Sequence, residues 1–76
     1  MRHPGEDLKL LLREKEYSQR YLADLMGLEV KAVNRVCNGK CAITPMFAYK
    51  LGKVFESYKA EHWLRLQNSY DLDRLG

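Results

Sequence analysis

The stretch "LADLMGLEVKAVNRV", residues 22–36, constrains this chain most, because its two smallest residues stand where size is a geometric matter. Ala23 lies inside an apolar run, and Gly27 follows it by four positions. That spacing asks for two short helices crossing steeply through a tight turn. Where helix backbones approach closely, a side chain no larger than a methyl group is wanted, which Ala23 supplies. The turn wants a residue free of Cβ strain, and Gly27 meets that need. Leu22, Met26, Leu28, Val33 and Val36 then provide the apolar inner faces.

Everything else periodic in the chain is helical, and no alternating run bounded by hairpin turns announces a sheet. Pro4 and Gly5 precede a first helix expected over residues 6–16, with the acids Glu6 and Asp7 in its first turn and Leu8, Leu11 and Leu12 on one stripe. Ser18 caps a second helix over residues 19–26, with Leu22, Leu25 and Met26 inward and Gly27 as its stop. A third, over residues 30–37, ends at Asn38-Gly39. Thr44-Pro45 opens a fourth, carrying Met46, Phe47, Leu51, Val54 and Phe55. Ser57 can cap a last helix, about 58–72, that holds Trp63, Leu64, Leu66 and Tyr70. The expectation is an all-α, five-helix fold in one domain over residues 1–76.

A chain of 76 residues has room for one core. At this size folding buries only about 60% of the surface the unfolded chain exposes, so a partner subunit is expected to help. The net charge of +3 permits an anionic partner without demanding one. No apolar run approaches the roughly 20 residues of a membrane span, and no signal-peptide core opens the chain, so a cytoplasmic protein is expected. Cys37 and Cys41 are too few for a structural zinc site, and His3 and His62 lie far from them in sequence. Two reduced thiols are expected, with Cys37 as a small core residue and no metal or cofactor. The histidines have no nucleophile or paired carboxylate at a meaningful spacing, and no glycine-rich phosphate loop is present, so catalysis is not expected.

Two short helices across a glycine turn form the helix-turn-helix, whose second helix lies in the DNA major groove; the plain alternative is a helical corner with no nucleic-acid partner. Residues 30–41 carry Lys31, Arg35 and Lys40 and no acid, and Arg20 opens the preceding helix. With Val33 and Val36 inward, Val30, Lys31, Asn34 and Arg35 should point outward. Lys31 and Arg35 can donate to guanine O6 and N7, Asn34 can pair with adenine, and Val30 can pack on a thymine methyl. Gln19, Arg20, Asn38 and Lys40 fall at helix ends and suit phosphates, which set register.

"HPGE", "SQRYLADLMGL", "VNRVCNGKCAITP" and "WLRLQNSYDL" together resemble the HigA-type antitoxins of the Xre (lambda-repressor-like) family, from His3 to about Leu72. The resemblance implies a lambda-repressor-like DNA-binding domain, usually dimeric, that represses its own promoter at a palindromic operator. It also implies a RelE-like ribonuclease toxin as partner and a last helix that helps form the homodimer, through Trp63, Leu66 and Tyr70. The chain departs from the family at Glu29, where a Ser or Thr N-cap is usual, at Cys37 and Cys41, and in "SYKAEHW", where a proline is usual. Beside this reading stand a protein-interaction antitoxin with weak or lost DNA binding, which Glu29 favours, and a stand-alone phage-type repressor.

Overall fold

Local capping chemistry sets the helix boundaries in the computed structural model, which describes residues 2–76; the first residue of the expected domain lies outside the described residues. The elements are α1 (Pro4–Lys15), α2 (Gln19–Met26), α3 (Val30–Cys37), α4 (Pro45–Val54) and α5 (Ala60–Leu75). α2 and α3 span the residues expected of them. α1 starts two positions earlier than its acids suggested, because His3 is its N-cap: the extended His3 places its imidazole Nδ1 to accept from the Gly5 N–H at 2.8 Å, and Pro4 takes the first helical position. Ser18 accepts from the Tyr21 N–H at 3.0 Å, and Thr44 from the Phe47 N–H at 3.2 Å. Ser57 does not cap α5. That helix begins after Lys59 without a side-chain cap and runs to Leu75.

Three helix ends close the same way. At α2 the Leu28 N–H donates to the Ala23 carbonyl at 2.9 Å and the Gly27 N–H to Asp24 at 3.2 Å; Tyr17 and Glu16 do this for α1, and Lys40 and Gly39 for α3. The paired bonds satisfy carbonyls that a helix end would otherwise leave unused, and they need a left-handed residue at the turn. Gly27 and Gly39 supply it at φ 69° and 73°. At α1 the position is held by Glu16, the one non-glycine residue with positive φ among those described.

The core gathers Leu8, Leu22, Ala23, Val33, Cys37, Leu51 and Trp63 from all five helices. α2 packs on α3, α4 on α5 and α2, and α1 on both α3 and α5. Two expectations are corrected here. Leu25 is 48% exposed, because an eight-residue helix turns one stripe inward and Leu22, Ala23 and Met26 already fill it. Trp63 is 1% exposed within its own chain and its indole N–H donates to the Tyr58 carbonyl at 3.1 Å, so it builds the core and has no surface left for a second copy. Leu66 and Tyr70 are half-buried.

Two ties hold the C-terminal end of α3 and the segment that follows it. A Cβ added at Gly5 would lie 1.9 Å from the Val36 carbonyl oxygen, so glycine alone lets the first turn of α1 touch the end of α3. On the other side, the buried Gln67 of α5 accepts from the Ile43 N–H at 2.8 Å and donates to Asp71 at 2.9 Å. It thereby satisfies a buried amide of the segment that joins α3 to α4.

Candidate nucleic-acid interface

α3 presents two chemistries on opposite sides. Val33, Val36 and Cys37 are buried, while Lys31, Asn34 and Arg35 are exposed. Lys31 and Arg35 make no ion pair or side-chain hydrogen bond with another described residue, which leaves both charges directed at solvent. Val30 is half-buried and leans on the core, so only part of it faces outward. Arg20, Asn38 and Lys40 are exposed around the same end of the molecule, with Gln19 half-buried among them.

The sequence divides these eight positions between bases and phosphates, and the fold joins three of them across that division. Asn34 Nδ2 donates to Gln19 Oε1 at 3.1 Å, and Asn38 Nδ2 donates to Asn34 Oδ1 at 3.2 Å. This relay runs from the start of α2 to the end of α3 and fixes the plane of the Asn34 carboxamide. A carboxamide has two N–H donors and two acceptor lone pairs, so Asn34 retains one of each, the set needed for an adenine edge. No local pattern could announce the Gln19–Asn34 contact, since the pair is separated by 15 residues and meets only because the two helices cross.

Sequence reasoning also missed Lys50, whose Nζ donates to the Met26 carbonyl at 2.9 Å. The ammonium caps the C-terminal end of α2 from α4, a favourable place for a cation. Glu29 is exposed in the N-cap position of α3 and its carboxylate makes no capping hydrogen bond. The electrostatics at this helix start are therefore mixed: a carboxylate one residue before α3, then lysine and arginine on its outward side. Cys37 packs inward from α3, and burial pushes its thiol up to about 11, with Lys9 partly opposing the shift. Cys41 is exposed and unpaired. Among the described residues no group of three side chains could hold a metal ion, and no helix is long and apolar enough to cross a membrane.

An outward cationic helix held at its C-terminal end, next to a helix of equal length across a glycine turn, is the geometry of the helix-turn-helix, and comparison with known proteins gives the same answer. Residues 8–61 match the helix-turn-helix family model HTH_3. The chain is 35% identical over 74 residues to Virulence-associated protein A of Dichelobacter nodosus, covering 96% of this chain and 72% of that protein. Among solved structures it is similar to the Pseudomonas aeruginosa antitoxin HigA with higBA promoter, at 31% identity and TM-score 0.92, covering 97% of this chain and 80% of that one. It is likewise similar to an addiction module antidote protein of the HigA family from Coxiella burnetii, at 35% identity and TM-score 0.84, covering 93% and 77% of the two chains. The chain belongs to the Xre-like HTH_3 helix-turn-helix family.

Proposed function

We propose that this protein is a sequence-specific DNA-binding repressor that acts on its own operon as the antitoxin of a HigBA-type pair, a binding protein rather than an enzyme, working in the cytoplasm. The observation that carries the reading is the outward face of α3, where Lys31 and Arg35 are unpaired and exposed on a helix whose C-terminal end rests against Gly5. Similarity to a HigA structure described with its promoter supports it. Lys31, Asn34 and Arg35, with the outer edge of Val30, read bases; Gln19, Arg20, Asn38 and Lys40 hold phosphates.

The protein works as a homodimer on a palindromic operator, with its two recognition helices about 34 Å apart, one turn of duplex. The dimer face lies on α5, where Leu66 and Tyr70 are half-buried and Leu72 and Leu75 are 68% and 84% exposed. The toxin is a RelE-like ribonuclease encoded beside it. The test is a gel shift on the chain's own upstream DNA with non-specific competitor present. Lys31→Ala with Arg35→Ala should lower specific affinity by roughly two to four orders of magnitude, as expected for two base contacts of about 1–3 kcal/mol each. The circular-dichroism melt of that variant should stay unchanged. Retention of specific binding by the double variant would overturn the reading.

A further inference from the structure

Away from the cationic face of α3, α1 and the start of α5 enclose a trough of about 550 Å³ lined by Asp7, Leu10, Leu11, Glu14, Tyr58, His62 and Trp63. Its chemistry is unusual for this molecule. Tyr58 and His62 lie with ring centroids 4.9 Å apart, and His62 meets Trp63 edge-on at 5.3 Å, making an aromatic wall. Leu10 is 47% exposed, more than a leucine fixed in a helix for packing would be. The two charged lining residues are both acids: Asp7, which is ion-paired with Arg2 at 2.7 Å, and Glu14, which has no partner among the described residues. No lysine or arginine lines it, in a chain whose net charge is +3.

Carboxylates beside an aromatic wall and an apolar floor suit one kind of side chain. An arginine or lysine stem lies along apolar surface while its head donates charge-assisted hydrogen bonds to carboxylates and rests on a ring face. A phosphate or an acidic peptide would meet repulsion there. We propose that the trough docks a cationic segment of a partner protein, inserting one arginine or lysine between Glu14 and the Tyr58 ring and setting an apolar neighbour on Leu10. The partner's identity as the toxin rests on the antitoxin reading above; the chemistry of the trough stands without it.

The experiment uses the full chain, isotopically labelled, titrated in the NMR spectrometer with two short helical peptides. One carries leucine and arginine a turn apart; in the other every arginine is replaced by glutamate. The arginine peptide should move the Trp63 indole and Leu10 amide signals saturably, and the glutamate peptide should not. Glu14→Lys with Leu10→Lys, both exposed positions, should weaken the arginine peptide by roughly tenfold or more without altering the rest of the spectrum. Equal response to both peptides, or to neither, overturns the proposal. So does a drop in sedimentation mass for the double-lysine variant, which would put a second copy in the trough. A gel shift run on the unmodified chain keeps the two readings separate, since absence of operator binding there would remove the repressor reading and leave the trough result standing.

Discussion

Glu29 is the residue at which this chain and its chemistry part company. Its backbone is extended, as an N-cap requires, yet its side chain makes no capping bond and leaves a carboxylate exposed beside the proposed DNA-reading face. Glu29→Ser should raise stability by about 1 kcal/mol through a restored cap, visible as a melting temperature some degrees higher. Operator affinity should rise with it as phosphate repulsion is lifted. Should stability improve while affinity falls, Glu29 accepts from a cytosine amino group instead. Cys37 makes a pH statement. Below about pH 9 the thiol is protonated in both folded and unfolded chains and contributes nothing to the pH dependence. From its ordinary 9.0 up to about 11 the unfolded chain sheds the proton while the buried thiol keeps it, so stability falls as pH rises. The full loss, reached above about pH 11, is about 2–3 kcal/mol. Urea melts across this window should show a shallower alkaline fall for Cys37→Ala than for the unaltered chain, and iodoacetamide at neutral pH should label Cys41 alone.

At the scale of elements, boundaries marked by side chains acting on their own neighbours were readable: Ser18, Gly27, Thr44-Pro45 and Asn38-Gly39 each stop or start a helix by chemistry within a few residues. The misses share a cause. His3 caps α1 with an imidazole, which the usual hydroxyl and carboxylate signals do not cover, and α5 starts with no side-chain cap at all. Likewise the outward set of α3 was legible from its inward valines, whereas the Gln19–Asn34–Asn38 relay and the Lys50 cap depend on helix crossings that no local pattern encodes. Trp63 was misplaced because the resemblance set the whole last helix at a dimer face, and helical spacing alone does not say which of its residues turn into the core. The α1–α3 junction offers a sharp test. Gly5→Ala must push a methyl group against the Val36 carbonyl and should cost about 1–3 kcal/mol or more. Gly27→Ala meets nothing within 4 Å and carries only its φ of 69°, a strain of about 1 kcal/mol. Thermal melts should place the Gly5 variant well below the Gly27 variant, and the reverse order would mean that α1 does not bear on α3 as described.

For the whole molecule, Lys31, Arg35 and Lys40 are exposed on and just after α3, while the charged lining of the trough between α1 and α5 is Asp7 and Glu14. On the proposed reading, operator affinity should fall steeply with salt, since phosphate contacts by Arg20 and Lys40, with the charges of Lys31 and Arg35 in the groove between them, would displace counterions from each half-site. Leu72→Glu, at an exposed apolar position of α5, should shift the protein toward monomer in sedimentation and about halve the slope of log affinity against log salt. An unchanged mass would move the dimer face elsewhere. Finally, the chain has a single tryptophan, sealed in the core with its indole N–H on the Tyr58 carbonyl and lying beneath the trough lined by Tyr58 and His62. Its fluorescence is thus a built-in, label-free gauge: emission shifts to the red when the protein melts, and quenching without that shift reports a guest arriving beside a fold that has stayed closed.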